Sequence, residues 1–506
     1  MTQDATEPAV PQRSGPPPQG SEEAPAAVQF PGSPDGGATA IRGGAIRVVG
    51  YTAGVLVSLA AATVLVRHLG VSNFGRYVTV TSLIALVASV TEAGIAVYGI
   101  REFVARAEPD RQRLMANLLG MRLTLTLVGI GCAVGFGLAV GYAHILVVGT
   151  VVAGVGLLVQ VISEVMSISL QAQLRLGSLT IVELVRRLVA LVLIVTLALL
   201  GATLLPFLAV SILAGAVALA ILAWMVRVSL TIRLRFDWHV WRELFAETLP
   251  FAIAVSIGAI YFYVTVILMS LIATANQTGV FATSFRVTQV ALAIPGLLLT
   301  AIFPLMSRAR PDQESSLGEM LSKVFIVAIV CGVWMSLAMA LGASFIINVI
   351  AGSQGQAAIS VLRIQGLVFT GSFISTASVF GFLSLRRYRP MMIASSSVLA
   401  LNILLGLVLV PALGAQGGAW ADVLTEAVEA VGLTIALMYA VPRYRIVFSS
   451  ILSVVLASAL AASVLLIPVP AIAQAIAASV IYVGVLLQMG TIPDEVIHVA
   501  RRLRVR

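Results

Sequence analysis

The stretch LALNILLGLVLVPALGAQGGAWADVLTEAVEA, from Leu399 to Ala430, decides the fold class. It contains two apolar runs, each long enough for a helix, joined by a short turn rich in proline and glycine. The second run carries Asp422, Glu426 and Glu429, whose spacings of four and three residues place them on one face of a helix. In a soluble protein such a face would contact water. The rest of the chain offers little water-facing sequence, so these carboxylates need another explanation.

The composition indicates a helical membrane protein. Of the 506 residues, 59% are hydrophobic and only 10% are charged, with a mean hydropathy of +1.04, whereas soluble domains average about 25% charged residues. The apolar runs suit spanning helices of about 20 residues, and none shows the alternation of a membrane β-strand. We therefore predict an all-α polytopic membrane protein. The net charge of +9 falls mainly between the runs, so it sets topology and does not indicate a nucleic-acid partner.

Fourteen apolar segments follow a polar beginning. They are predicted at about 44–66, 77–100, 117–141, 144–168, 180–201, 204–226, 248–273, 280–306, 322–350, 358–384, 391–412, 416–440, 447–467 and 470–489. Arginines gather in every second connection, so both termini are predicted to be cytoplasmic, in a bacterial inner (plasma) membrane. One connection breaks the pattern, because the first outer connection contains Arg67, His68 and Arg76.

The longest connection, between segments six and seven, divides the spanning region. We predict a disordered cytoplasmic tail at 1–41, an N-terminal six-helix lobe at 42–226, a cytoplasmic interfacial linker at 227–247, a C-terminal six-helix lobe at 248–446, helices 13 and 14 at 447–490, and a basic cytoplasmic tail at 491–506. A weak repeat, GVSNFGRYVTVTSL at Gly70–Leu83 and TGVFATSFRV at Thr278–Val287, indicates pseudo-symmetric lobes. Transporters of this layout hold their substrate between the lobes.

The sequence contains no pattern for a catalytic or cofactor site. It lacks a glycine-rich phosphate loop with lysine, an HExxH motif and a cysteine–histidine cluster. Cys132 and Cys331 lie in apolar runs and are expected to pack as small hydrophobic residues. We therefore expect a protein that is not an enzyme, has no cofactor or metal, and is driven by an ion gradient, the membrane potential or substrate flux.

Basic and aromatic side chains in the apolar segments are candidates for substrate binding. A charge at the membrane centre costs about 2.5–3.5 kcal/mol on insertion scales, so it needs a reason. Guanidinium groups can bind an anion through paired hydrogen bonds, and aromatic rings can stack on sugars; surface anchoring and core packing are the alternatives. The candidates are Arg42, Arg47, Tyr261, Tyr263, Arg286 and Arg363.

Acidic side chains are candidates for ion coupling or for charge pairing: Glu92, Asp422, Glu426 and Glu429. Glu92 and Glu164 are expected to reach the membrane surface or to pair with arginines of the connections. Glu183 is expected to pair with its neighbours Arg186 and Arg187. The three carboxylates of segment twelve would repel one another if all were ionised. Proton or cation coupling is one interpretation, and pairing with arginines of neighbouring helices is the favoured one.

The order of several motifs resembles the polysaccharide-transporter flippases, a family within the superfamily of multidrug, oligosaccharidyl-lipid and polysaccharide exporters. The similarity lies in LNILLGLVLVPALGAQGGAW (Leu401–Trp420), VRHLGVSNFGRY (Val66–Tyr77), FDWHVWRELFAETLPF (Phe236–Phe251) and the run from Gly279 to Arg308. The resemblance implies alternating access of two six-helix lobes and a lipid-linked oligosaccharide as cargo. Members often carry Arg-x-Asp in segment seven, where this chain has Tyr263 and Thr265.

The function expected from this resemblance is translocation of a lipid-diphosphate-linked oligosaccharide for cell-surface polysaccharide assembly. Arg47 and Arg286 would bind phosphate, and Tyr261 and Tyr263 would stack on sugars. Membrane lipids, a polysaccharide polymerase and glycosyltransferases are the expected partners. The alternatives are a flippase for the lipid-linked peptidoglycan precursor, a cation-coupled drug exporter and a non-transporting membrane scaffold of a glycan synthase. Segment one has arginines and no acid, which disfavours the exporter.

Overall fold

The computed structural model describes residues 34–92, 94–173, 175–226, 235–299, 314–385, 387–441, 444 and 448–491, with side chains from Gly50 onward. Side chains at 51, 97, 176, 243, 247, 250, 251, 254 and 314–316 lie outside the description. Within the described ranges every regular element is a helix, as the apolar composition predicts, because a spanning helix satisfies its own backbone hydrogen bonds in lipid.

The described residues of the N-terminal half form six helices. They are α1 (Pro34–Glu92), α2 (Ile95–Ala105), α3 (Asp110–Ala139), α4 (His144–Ala172), α5 (Leu176–Leu199) and α6 (Leu204–Val226). The C-terminal half begins with α7 (Trp238–Ile272) and α8 (Ala275–Ala291), followed by helical residues 293–299. It continues with α9 (Glu314–Ala351), α10 (Gln356–Gln365), α11 (Val368–Ser384), α12 (Arg389–Leu413), α13 (Ala415–Ala440), α14 (Phe448–Ala462) and α15 (Ala471–Gln488).

Within the described residues, eleven helical stretches have the length and composition to cross a membrane. Two of them are double: Thr52–Glu92 is interrupted at Gly70 (φ 74°, ψ 162°), and Leu317–Ser384 at the 3-10 turn Gly352–Gly355. α5, with 24 residues, is long enough to cross a membrane as well. It is not one of the eleven stretches because its first half contains three charged residues, Glu183 and two arginines. With the two double stretches divided and α5 added, fourteen crossings result, and the predicted fold class is confirmed.

The two ends of the bundle differ in how the lobes meet. We call the end that contains the connections at Gly70, Gly141, Gly201, Gly352 and Gly414 the Gly70 end, and the opposite one the arginine-rich end. The largest hydrophobic core joins residues of both lobes and lies at the Gly70 end. At the arginine-rich end, the described residues form a core on α2, α3, α4 and the start of α7, a small one on α4 and α6, and a separate one in the C-terminal lobe. The lobes therefore pack together at the Gly70 end.

Several predicted boundaries differ from the helices. α1 begins at Pro34, inside the predicted disordered tail, because proline suits the first turn of a helix, where its missing N–H is not needed. Residues 1–33, 227–234 and 492–506, which hold the rest of that tail, part of the linker and most of the basic tail, lie outside the described residues. The interfacial helix and segment seven form one helix, α7, and segment ten is two helices, α10 and α11.

Candidate functional site

The acidic face of α13 meets polar groups from α7 and α12. The Asp422 carboxylate accepts hydrogen bonds from Thr265 Oγ1 on α7 at 2.6 Å and from Asn402 Nδ2 on α12 at 3.3 Å. The same Asn402 amide lies 3.4 Å from Thr425 Oγ1 on α13. Asn402 and Thr265 are almost fully buried, so this is an interior polar site that ties three helices of the C-terminal lobe together.

Glu426 lies one turn further along α13 and is also buried. Its Oε2 accepts a hydrogen bond from the Tyr261 hydroxyl at 3.0 Å, and its Oε1 accepts one from Ser375 Oγ on α11 at 2.7 Å. Glu429, on the same face, is half-buried. We refer to Asp422, Glu426 and Glu429 as the carboxylate site.

The partners of the carboxylate site differ from those favoured by the sequence. No described arginine or lysine forms an ion pair with these three side chains; hydroxyl and amide donors bond Asp422 and Glu426 instead. Neutral donors satisfy carboxylate oxygens without the cost of taking a second charge out of water. Among the described side chains, Asp422 and Glu426 therefore pair with neutral donors rather than with arginines. Ion coupling at this site stays a prediction.

A second polar group lies between the lobes on the surface of α1. Arg286 on α8 donates from Nη2 to Ser58 Oγ at 2.9 Å and from Nη1 to Gln289 Oε1 at 2.7 Å. Arg187 on α5 donates from Nη1 to the carbonyl oxygen of Gly54 at 3.0 Å. Gly54 and Ser58 are one turn apart, about 6 Å along the axis of α1. We call Arg187 and Arg286 the arginine pair.

The two members of the arginine pair differ in charge compensation. Arg187 shares Glu183 with Arg186, at 2.8 and 2.7 Å, as the local sequence predicts. Arg286 forms no ion pair with a described carboxylate, and its described partners, Ser58 and Gln289, are neutral. A partly buried cation without a counter-ion is suited to bind an anion. Sequence reasoning named Arg286 as a candidate but considered Arg187 only as an ion-pair partner.

The two candidate tyrosines of α7 belong to different groups. Tyr261 bonds Glu426 in the carboxylate site. Tyr263 lies close enough to Arg286 to interact with its charge and packs edge-on against Phe262, with ring centroids 5.0 Å apart. Thr265, two residues further along α7, donates to Asp422 in the carboxylate site.

A third polar group, inside the N-terminal lobe, was missed by the sequence reasoning. Arg122 on α3 is fully buried, and its Nη2 forms a short ion pair with Glu164 Oε2 and lies 3.9 Å from Glu92 Oε2. Gln160 Nε2 donates to the other oxygen of Glu164 at 2.8 Å. Glu92 and Glu164 therefore share a membrane-embedded arginine, which corrects the expectation that they reach arginines of the connections. The available signal was Arg122 itself, inside the apolar run of segment three.

The remaining candidates do not join these groups. Arg363 on α10 is exposed, and its Nη2 donates to Ser344 Oγ on α9 at 3.3 Å. Arg42 and Arg47 lie on α1, but their side chains are outside the described residues. Among the side chains that the structure describes, no three or more His, Cys, Asp or Glu residues are arranged to hold a metal ion.

The fold is that of known membrane transporters. A solved structure described as the lipid II flippase MurJ in an inward closed conformation matches with a TM-score of 0.72 and 9% identity, over 87% of this chain and 97% of that one. An inward-facing multidrug resistance MATE family transporter of the MOP superfamily matches with a TM-score of 0.62 and 14% identity, over 79% and 98%. A MOP superfamily transporter from Pyrococcus furiosus matches with a TM-score of 0.52 and 15% identity, over 80% and 95%.

Sequence comparison identifies the family and confirms the resemblance seen in the motifs. No curated protein matches the sequence significantly. A family model described as polysaccharide biosynthesis protein matches residues 40–310, which is more than half of the chain. That range contains the arginine pair, the Arg122 group and α7 with its two candidate tyrosines. The chain therefore belongs to the polysaccharide biosynthesis protein family and has the fold of a MOP-superfamily transporter.

Proposed function

We propose that this protein translocates a lipid-diphosphate-linked oligosaccharide across a bacterial plasma membrane by alternating access of its two lobes. The observation that carries the proposal is the arginine pair: one guanidinium from each lobe approaches α1, one turn apart, and Arg286 has only neutral described partners. A diphosphate offers several anionic oxygens that two guanidinium groups can share. The lipid tail stays in the bilayer, and no chemical step is needed.

A position for the sugar is supported by the neighbour of Arg286, and entry from the cytoplasm is supported by the packing of the lobes. Tyr263, beside Arg286, offers a ring face next to the phosphate position. The arginine-rich end is cytoplasmic by the positive-inside rule, and the lobes form separate cores there. The packed Gly70 end then represents the state that loads substrate from the cytoplasm. Polysaccharide polymerase or glycosyltransferases would supply or consume the substrate.

The carboxylate site is proposed to couple this movement to a cation or proton. Its oxygen and hydroxyl groups come from α7, α11, α12 and α13, so a change of its occupant or charge acts on four helices at once. A protein of this kind needs an energy source, and the sequence contains no nucleotide-binding loop.

The substrate proposal is tested with purified protein in liposomes that contain a fluorescent lipid-diphosphate-linked glycan. We expect Arg286→Gln to slow translocation by about tenfold or more, since a hydrogen-bonded charge contributes roughly 1.5–3 kcal/mol. Arg363→Gln is the matched control, because Arg363 is exposed and bonds only Ser344 among described residues. Equal rates for the two variants, or no translocation by the native protein under any gradient, would refute the proposal; the latter result would favour a scaffold of a glycan synthase.

The lipid-linked peptidoglycan precursor is the second candidate, because its diphosphate would suit the same arginine pair. Competition between the two lipid-linked substrates separates them: the native substrate should block translocation of the other at a lower concentration. Unchanged drug sensitivity of a deletion strain would remove the cation-coupled exporter.

A further inference from the structure

The C-terminus of α9 is bonded by an arginine from the opposite lobe. The last carbonyl groups of a helix have no partner within it and carry a partial negative charge. α9 ends at Ala351. Arg67 on α1 donates from Nη2 to the carbonyl oxygen of Val349 at 2.7 Å and lies 3.4 Å from that of Asn348. The guanidinium thus caps a helix of the C-terminal lobe from the N-terminal lobe, at the Gly70 end.

This arginine belongs to the connection that breaks the arginine pattern of the sequence. Its two basic neighbours make local contacts instead. His68 Nε2 lies 2.9 Å from the carbonyl oxygen of Ala202, within the N-terminal lobe, and Arg76 Nη1 donates to Asn73 Oδ1 on its own helix at 3.2 Å. Of the three, Arg67 alone has a described hydrogen bond to the other lobe, which gives a specific reason for a cation there.

The surroundings of Arg67 show that the lobes are in close contact. A Cβ atom added to Gly279 on α8 would lie 2.0 Å from the carbonyl oxygen of Val71, and one added to Gly75 would lie 2.6 Å from the Gly279 nitrogen. The Tyr142 hydroxyl, beyond α3, lies 2.5 Å from Ser270 Oγ on α7. The cap on α9 is therefore one part of an interface that exists only while the Gly70 end is closed.

We propose that Arg67 is the latch of the Gly70 end, capping α9 in the closed state and releasing it whenever the lobes separate there. The proposal rests on the alternating access of the proposed function. A contact made in one of two states shifts their ratio by its differential free energy alone. Because Arg67 is exposed, water replaces its bonds in the open state, so the latch is weak and reversible. Its removal should raise the open-to-closed ratio about threefold to tenfold.

The test measures the distance between the lobes by double electron–electron resonance in the full-length protein in liposomes. Spin labels replace Leu200 and Leu413, which are exposed at the Gly70 end of the two lobes, after Cys132 and Cys331 are changed to alanine. We expect a mainly short distance for the parent protein and an increased long-distance fraction for Arg67→Ala. Arg67→Lys, which keeps a cationic donor, should restore part of the short distance. Arg76→Ala is the matched control and should resemble the parent.

Two results would overturn the latch: an unchanged distance distribution in Arg67→Ala, or an equal change in Arg76→Ala. If Arg67→Ala is not monodisperse after purification, Arg67→Gln is measured in its place and should also raise the long-distance fraction. The distance needs no substrate, so it is independent of the substrate proposal. A shifted distance together with failure to translocate any lipid-linked glycan would leave the latch standing and refute the proposed cargo.

Discussion

One guanidinium nitrogen of Arg122 lies near two carboxylates inside the N-terminal lobe. This Nη2 atom contacts Glu164 closely and Glu92 at 3.9 Å, while Nε and Nη1 have no hydrogen-bond partner among the described residues. Glu164 also accepts a bond from Gln160, whereas half of the Glu92 side chain is exposed. The two carboxylates are therefore unequal, and Glu164 carries most of the compensation for the buried charge.

The unequal pairing predicts unequal losses of stability. Glu164→Gln should lower the free energy of unfolding by about 3 kcal/mol, because it leaves a buried guanidinium without its close counter-ion. Glu92→Gln, the same change at the distant and more exposed partner, should cost less than about 1 kcal/mol. Thermal unfolding in detergent, followed by fluorescence size-exclusion chromatography, compares the two. Equal melting temperatures would show that Glu92 is as important as Glu164.

Asp422 permits a test that separates folding from coupling. Asparagine in its place still offers an oxygen to the Thr265 hydroxyl, which bonds Asp422 at 2.6 Å, so Asp422→Asn should fold with a melting temperature close to that of the parent. It removes the negative charge, so translocation should lose its response to an imposed ion or pH gradient. The measurement is translocation with and without each gradient. A variant that misfolds, or one that responds as the parent does, would make this residue a packing element.

At the scale of single elements, α7 connects the two lobes. Just before it, the Asp237 amide donates to Asn117 Oδ1 on α3 at 3.2 Å, and the Arg235 amide donates to the carbonyl oxygen of Ala116 at 3.4 Å. Trp241 is buried in the core of the N-terminal lobe. Further along, α7 supplies Tyr261 and Thr265 to the carboxylate site. A helix anchored at both places can transmit movement of one lobe to the other.

One added methyl group on α3 should disrupt the contact between α3 and the segment before α7. A Cβ atom on Gly120 would lie 2.4 Å from the carbonyl oxygen of Arg235, so Gly120→Ala should displace the segment before α7. Hydrogen exchange of residues 238–245 should accelerate about tenfold or more, because the first turns of α7 lose their docking. Gly131→Ala on the same helix is the control, since a Cβ there meets nothing within 4 Å. Unchanged exchange in Gly120→Ala would show that the segment is held elsewhere.

For the whole molecule, the placement of the hydrophobic cores defines the conformation. The core shared by the lobes lies at the Gly70 end, and the cores of the arginine-rich end belong to different helices. Opening the Gly70 end must therefore separate apolar surface, which costs roughly 25 cal/mol for each Å² exposed to water. The Arg67 latch adds a smaller, specific contribution to the same closed state.

The close backbone approach at this end makes a prediction for the conformational equilibrium. Gly279→Ala places a methyl group against the Val71 carbonyl oxygen, at a separation of 2.0 Å before any movement. The lobes should no longer close fully, and the Leu200–Leu413 label distance should lengthen in nearly all molecules. Gly258→Ala, where a Cβ meets nothing within 4 Å, is the control. A native short distance in Gly279→Ala would mean that the helices absorb the methyl group without opening.

The sequence by itself determined the membrane class, the fourteen crossings, the two lobes and the family. Each of these properties depends on the hydropathy of one segment at a time or on a motif of residues close in sequence. The ion pairs of Glu183 with Arg186 and Arg187 are predicted for the same reason, because the three residues are neighbours in sequence. The tertiary structure decided that Arg122 holds Glu92 and Glu164, that Thr265 and Tyr261 bond the carboxylate site, and that Arg67 caps α9. Burial in lipid is a property of a single helix. A hydrogen-bond partner depends on how closely, and at what height, two helices pack against each other. Contacts such as that between Gly75 and Gly279 fix the distance and height of two helices only in the folded molecule.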